Sequence, residues 1–100
     1  MPVLRRDMMA AFRFKRAIPV SYDRQGFIFF TSKRYRELSA EERKRIRQLC
    51  AKAGGEHRDA LLEFVTTDTT SALVCAKHYL SESTLERAVK RYYIAFAQIL

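Results

Sequence analysis

The sequence has few of the residues that metal sites and disulfide frameworks need. It contains only two cysteines and two histidines in 100 residues. Cys50 and Cys75 stand at apolar-periodic positions of predicted helices, where cysteine behaves as a small buried side chain in a reducing compartment. His57 and His78 show no Cys–His spacing typical of zinc sites. The sequence therefore predicts no metal site and no cofactor.

Long hydrophobic runs are also missing. No window approaches the ~18 apolar residues of a membrane-spanning helix. The run "MMAAF" that follows "RR" near the N-terminus is too short for the hydrophobic region of a signal peptide. We therefore expect a soluble, cytoplasmic protein that has no membrane partner.

Catalytic motifs are absent from the sequence as well. It has three glycines and no glycine-rich phosphate loop, no nucleophile elbow and no histidine beside a plausible nucleophile. The carboxylates Glu56, Asp59 and Glu63 share a predicted helix with Arg58, a pattern typical of a solvated face. We predict that the protein is not an enzyme.

Positive charge is what the chain has in excess, and it is unevenly distributed. The formal net charge is +8. Residues 1–50 carry 13 Lys and Arg against 5 Asp and Glu, whereas residues 51–100 carry 6 against 6. The whole excess therefore lies in the N-terminal half. This charge favours an anionic partner, with nucleic acid as the first candidate.

The N-terminal third is predicted to contain a basic arm and a β-hairpin. Residues 1–16 combine apolar residues at a spacing of four with several arginines, which indicates a mobile arm or a short helix. Ile18 and Val20 then alternate with polar residues, "DRQG" resembles a four-residue turn, and "FIFF" resumes the apolar pattern. We predict a hairpin at about residues 17–31, with Pro19 on an edge strand.

Four helices are predicted after the hairpin. Ser39 and Glu42 have the spacing of a capping box, and Gly54-Gly55 ends the first of these helices. The others are expected at about residues 56–66, 70–78 and 82–98. The predicted fold class is α+β, with residues 17–100 forming a single domain that ends in a helix-turn-helix at about 70–98.

The corner between the last two helices carries the most specific pattern. In "CAKHYLSESTL", Cys75 suits a close helix crossing, Leu80 can plug the corner and Ser81 can cap the second helix. Burial is then predicted at Leu85, Ala88 and Val89. This stretch of about 20 residues resembles the helix-turn-helix of small regulators from bacteria, phages and mobile elements, whose pattern is A-x-x-[FL]-G-[VI]-S-x-S-T-[VL].

The resemblance implies a DNA-binding protein and assigns the residues that touch DNA. The corresponding outward-facing positions at the front of the second helix are Ser81, Glu82, Ser83, Thr84, Arg87 and Lys90. The residues that we predict to contact DNA are Ser81, Ser83, Thr84, Arg87, Lys90 and the neighbouring Arg91. Two positions depart from the pattern, because Tyr79 stands where glycine usually forms the corner and His78 replaces an apolar residue. The implied function is transcriptional regulation on a phage or mobile element.

Basic residues of the N-terminal half are predicted to contact phosphates. Their positive charges have few acidic partners nearby, and a polyanion would relieve the repulsion between Arg43 and Arg47 at i, i+4. Phosphate contacts position a protein while base contacts specify the sequence. The predicted phosphate contacts are Arg34, Arg36, Arg43, Lys44 and Arg47.

The C-terminal tail "YYIAFAQIL" is apolar on nearly every side. A helix of this kind is buried either in its own core or in a partner. We therefore predict a homodimer through residues 92–100, which would suit a two-fold symmetric site on double-stranded DNA.

A second function remains open at this point. A small basic protein of phage type could instead bind and inhibit a host nucleoprotein complex, as anti-CRISPR proteins do, with the helical corner serving as scaffold. Exposure of Phe29, Tyr35, Tyr93 and Ile94 on one contiguous surface would favour this alternative.

Overall fold

The structure is a computed structural model that describes residues 12–100. These residues form five α-helices: α1 (Tyr22–Lys33), α2 (Ala40–Gly54), α3 (Arg58–Thr66), α4 (Ser71–His78) and α5 (Glu82–Gln98). Short 3-10 turns at Tyr35–Glu37 and Gly55–His57 precede α2 and α3. Within the described range there is no β-strand. The predicted α+β class is therefore wrong, and this part of the chain is all-helical.

The β-hairpin predicted at residues 17–31 is replaced by helix α1. The Ser21 hydroxyl accepts a hydrogen bond from the backbone N–H of Arg24 at 3.3 Å, which is the geometry of a helix N-cap. Asp23 lies in the first turn, where the helix dipole favours a negative charge. The "DRQG" segment therefore begins a helix instead of turning between strands. Ile18 is buried as expected, but it lies in an irregular segment before the helix.

A buried glutamine fixes that irregular segment to α1. Gln25 has no exposed surface. Its side-chain Oε1 accepts from the Lys15 backbone N–H at 3.0 Å, and its Nε2 donates to the Lys15 carbonyl at 3.0 Å. Nε2 also donates to the carbonyls of Ile18 and Val20, at 3.3 and 3.0 Å. The carbonyls of Lys15 and Ile18 also accept from backbone N–H groups, so the groups that depend on Gln25 are the Lys15 N–H and the Val20 carbonyl.

The four predicted helices correspond to α2 to α5 and are confirmed, with bounds close to those expected. The capping box of α2 is complete, because Ser39 caps the N–H of Glu42 and the Glu42 carboxylate accepts from the Ser39 N–H. These hydrogen bonds, the Ser39 N–H first, hold the pKa of Glu42 below its ordinary value. Gly55 follows α2 with a φ of 56°, a conformation that favours glycine.

Helix α5 runs through the centre of the core. Tyr92 is fully buried, and its hydroxyl lies 2.7 Å from the hydroxyl of Ser32 on α1. Ser32 in turn donates to the Ile28 carbonyl at 2.7 Å, so this polar pair is satisfied inside the core. Both cysteines are buried free thiols, and burial raises the pKa of Cys50 to about 12. The prediction that they serve as small buried side chains is confirmed.

The apolar C-terminal tail packs inside the same chain. Tyr92, Tyr93 and Phe96 are buried, and the Tyr92 ring packs edge-on against both others at centroid distances of 5.9 and 5.8 Å. Of the apolar residues in this tail, only Ile99 and Leu100 at the end are about half exposed. Residues 92–100 are thus apolar because most of them pack into the hydrophobic core of the same chain. The reason for predicting a homodimer through this tail is therefore removed.

A carboxylate joins α3 to α4. Glu63 Oε1 lies 2.9 Å from Nε2 of His78 and 3.2 Å from Nζ of Lys77. The hydrogen bond with His78 is the main reason why the pKa of Glu63 is below its ordinary value of 4.5, and Lys77 adds to the effect. His78, which replaces an apolar residue of the helix-turn-helix pattern, thus ties its helix to the preceding one.

We expect Glu63→Gln to weaken the acid dependence of stability. Since the pKa of Glu63 is lowered by folding, its carboxylate stabilises the fold above about pH 4.5, and that contribution is lost as the pH falls through the folded-state pKa. At neutral pH, Glu63→Gln should lower the unfolding free energy by less than ~1 kcal/mol, because the contacts of Glu63 with His78 and Lys77 are partly exposed. Urea unfolding between about pH 7 and pH 3 measures it. Glu86→Gln, which also removes one carboxylate but no ion pair among residues 12–100, is the control, and Glu63→Gln should change the dependence of unfolding free energy on pH more than this control does.

Candidate nucleic-acid interface

Helices α4 and α5 are joined by a corner of three residues, 79–81. Cys75 on α4 is 7% exposed, and Leu80 packs against the core from within the corner. The Leu80 N–H donates to the Cys75 carbonyl at 3.1 Å, which closes the end of α4. The three residues of α5 predicted to be buried next to the corner, Leu85, Ala88 and Val89, are buried. The packing expected of this corner is confirmed.

The corner turns through a left-handed residue that is not glycine. Tyr79 has φ 58° and ψ 52°, and no other non-glycine among residues 12–100 has a positive φ. Its side chain is 93% exposed. The backbone therefore adopts at Tyr79 the conformation for which the helix-turn-helix pattern normally uses glycine, at a cost of roughly 1–2 kcal/mol.

The Tyr79→Gly protein should be more stable than the Tyr79→Ala protein. Tyr79→Gly relieves the left-handed strain but gives the unfolded chain more freedom, so we expect it to exceed Tyr79→Ala in unfolding free energy by about 1 kcal/mol. Both variants remove the exposed ring, so their difference isolates the backbone. Urea denaturation of the two proteins measures it. Equal stability of the two variants would contradict a left-handed corner.

The first turns of α4 and α5 lie side by side. The Ser71 hydroxyl, on the first residue of α4, donates to Glu82 Oε1 on the first residue of α5 at 3.1 Å. Ser81 caps α5 by accepting from the Thr84 N–H at 3.1 Å, and its hydroxyl also lies 2.8 Å from that of Thr84. Ser81 and Thr84 thus fix the start of the helix.

The exposed side of α5 forms one wall of a groove. Ser83, Arg87 and Lys90 are exposed and follow the i, i+4, i+7 spacing of a single helix face. They line a groove with a volume of about 580 Å³. The rest of its lining includes Lys15 and Arg16 from the segment that Gln25 holds, together with Ala17, Ile18, Phe64, Ser71, Leu85, Glu86 and Val89. We call this the α5 groove.

Positive charge dominates the α5 groove. Four cationic side chains line it, from Lys15, Arg16, Arg87 and Lys90, against the single carboxylate of Glu86. Across the described part of the chain, none of the four forms an ion pair within 4.0 Å. The Glu86–Lys90 pair that the sequence would allow is thus not formed. These charges are available to an anionic ligand.

Arg91 lies elsewhere and has a structural contact. Its Nε donates to the Ala53 carbonyl at 2.8 Å, near the C-terminal end of α2. A cation at that end of a helix compensates the orphan carbonyls and the negative end of the dipole. The structure therefore separates Arg91 from the other residues predicted to contact DNA.

The five predicted phosphate contacts have different neighbours in the structure. Arg34 is 3.7 Å from Glu37 of the neighbouring 3-10 turn, and Arg36 is exposed on that turn. Arg43 donates to the Leu38 carbonyl in a partly buried contact. Lys44 and Arg47 instead line a cleft between α2 and α3.

Two groove residues were missed when the candidate site was predicted. Lys15 and Arg16 were recognised as part of a basic arm, but no periodic signal connects residue 15 with residue 87. The connection depends on Gln25, a polar side chain buried against the sequence pattern. Residues 1–11, the remainder of the predicted arm, lie outside the described residues.

The surface expected for an inhibitor of a host complex is not exposed as one patch. Tyr93 is 5% exposed and belongs to the core. Tyr35 and Ile94 are partly buried against that core, and Phe29 is partly covered by the rings of Phe12 and Phe30.

Neither a membrane-spanning helix nor a metal cluster is found in residues 12–100. None of the described helices is long and apolar enough to cross a bilayer. The same residues contain no group of three or more His, Cys, Asp and Glu side chains placed to hold a metal ion. In the comparisons with known proteins, no family model, curated protein or solved structure matches this chain.

Proposed function

We propose that the protein binds double-stranded DNA in a sequence-specific manner, with the exposed face of α5 in the major groove. The observation that carries the proposal is the α5 groove, in which Arg87 and Lys90 stand on the helix that follows the left-handed corner and Lys15 and Arg16 stand beside it. The motif resemblance adds the biological role, a transcriptional regulator of a phage or mobile element.

The dimensions of α5 suit this role. Seventeen residues give a helix about 25 Å long, and the DNA major groove, about 12 Å wide, admits an α-helix. The exposed residues Ser83, Arg87 and Lys90 cover its first two turns, the part that usually meets base edges. Buried Ala88 and Tyr92 on the opposite side anchor the helix to the core.

The chemistry of the groove side chains divides into two tasks. An arginine on a reading helix pairs bidentately with guanine O6 and N7, and we assign this task to Arg87. Lys15 and Arg16 flank the helix from a separate segment, as phosphate contacts do when they fix the register of a protein on the duplex.

Selection from a random duplex pool at about 150 mM salt, followed by a salt titration, tests the proposal. We expect one enriched motif and a log–log salt slope of about −2 to −4, as two to four phosphate contacts would give. Binding without enrichment would reduce the protein to a phosphate binder. No binding at all would contradict the proposal and direct the search to protein partners.

A further inference from the structure

A second basic cleft lies between α2 and α3, apart from the α5 groove. It has a volume of about 380 Å³, and three cations line it: Lys44 and Arg47 from α2 and Arg58 from α3. Gln48 and Asp59 add polar groups, while Cys50, Ala51 and Leu62 supply an apolar floor. We propose that this α2–α3 cleft is an anion site that binds a phosphate group, independently of DNA reading by α5.

The three cations line one cleft because two helices contribute them. Lys44 and Arg47 are three residues apart on α2 and therefore share a face. Arg58 is the first residue of α3 and comes from beyond the Gly54-Gly55 bend. Arg47 is held in place, since its Nη1 donates to the Tyr35 hydroxyl at 2.8 Å. A phosphate in the cleft would meet groups contributed by separate elements.

The positive charges of the cleft are not neutralised by the protein. Among residues 12–100, no carboxylate lies within 4.0 Å of the charged nitrogens of Lys44, Arg47 or Arg58. Asp59 is the one carboxylate in the lining, against three cations. Like charges held close together oppose folding, and a bound anion relieves that repulsion.

The cleft and the α5 groove lie on different sides of α3. Arg58 and Leu62 are four residues apart, share a face of α3 and line the cleft. Phe64 lies on a different face and lines the α5 groove. A phosphate bound in the cleft would therefore be separated by α3 from a duplex read by α5.

Phosphate is the anion that this set of donors suits best. Guanidinium groups present paired N–H donors that match two phosphate oxygens, and a lysine adds a point charge. The cleft is open and of the size of small-ligand sites, which are about 300–1,000 Å³. It can therefore take a small phosphate compound or one phosphate of a nucleic-acid backbone.

Thermal unfolding with inorganic pyrophosphate, at constant ionic strength, tests the site. Binding to the folded state alone should raise Tm by several degrees at saturation. The gain should vanish in Lys44→Ala/Arg58→Ala, whose side chains are exposed and leave the core intact. It should persist in Arg45→Ala/Lys52→Ala, which removes the same charge outside the cleft. No gain in the wild type, or an equal gain in all three proteins, would overturn the proposal.

The same assay separates this site from DNA reading and identifies the source of the phosphate. The Arg87→Ala/Lys90→Ala protein should keep the full pyrophosphate gain, whatever its affinity for DNA; loss of the gain there would place the anion in the α5 groove and overturn the proposal. If random-sequence duplex displaces pyrophosphate from the Arg87→Ala/Lys90→Ala protein, the cleft binds phosphates of the nucleic-acid backbone. Absence of displacement would assign it to a small phosphate compound.

Discussion

Replacing Arg87 and Lys90 together by alanine should weaken binding to the selected duplex roughly 30- to 20,000-fold. A specific base contact is worth about 1–3 kcal/mol, each 1.4 kcal/mol is a factor of ten, and two contacts would be lost. Both side chains are exposed, so the fold should be unaffected within about 0.5 kcal/mol. Fluorescence anisotropy with the selected and a random duplex measures both affinities.

The matched control is Arg45→Ala/Lys52→Ala, which removes two exposed charges outside the α5 groove. We expect it to lower both affinities only a few-fold, because it weakens the general electrostatic attraction to DNA. The ratio of the affinity for the selected duplex to the affinity for the random duplex should stay the same. The groove variant should instead lose most of that ratio. An unchanged ratio in the groove variant would contradict base reading by α5.

Gln25→Leu should lower the unfolding free energy by about 3–5 kcal/mol. The substitution leaves the Lys15 N–H and the Val20 carbonyl without their side-chain partner, and each unsatisfied group costs about 1–3 kcal/mol. A domain of this size is typically stable by only about 5–15 kcal/mol, so the loss is a large fraction of the total. Urea denaturation followed by circular dichroism measures it.

Gln98→Leu, at an exposed position near the end of α5, is the control and should stay within about 0.5 kcal/mol of the wild type. If Gln25→Leu unfolds at the same urea concentration as the wild type, Gln25 does not fix the segment before α1. Where the variant remains folded, we also expect weaker DNA binding, since Lys15 and Arg16 would no longer be fixed beside α5.

Local sequence patterns predicted the last four helices because each begins and ends with recognisable chemistry. Ser39 and Ser81 are side-chain caps, and the Gly54-Gly55 pair ends α2. The corner was also predictable, because small and aliphatic residues at fixed spacings define its packing. That spacing does not depend on distant parts of the chain.

Helix α1 was mistaken for a hairpin because its buried face is partly polar. Gln25 and Ser32 are almost completely buried there, while Tyr22 and Phe27 are more than half exposed. This reverses the pattern by which an amphipathic helix is recognised. The one local signal was Ser21 followed by Asp23, an N-cap with an acidic first turn, and the apparent strand alternation outweighed it.

The candidate site was predictable only along a single helix. Spacing on α5 identified Ser83, Arg87 and Lys90 correctly as one exposed face, but it also included Arg91, which donates to a carbonyl of α2. Lys15 and Arg16 join the α5 groove through contacts between distant segments, which no local period encodes. The same holds for Arg58, which lines the cleft together with Lys44.

The most direct test of DNA reading by α5 is amide and side-chain chemical-shift mapping on the full chain, titrated with the selected duplex. We expect the largest chemical-shift changes at Ser83, Arg87 and Lys90, with smaller ones at Lys15 and Arg16. Saturable binding that leaves the front of α5 unperturbed, while Arg34 and Arg36 shift, would contradict it and place the duplex on another face.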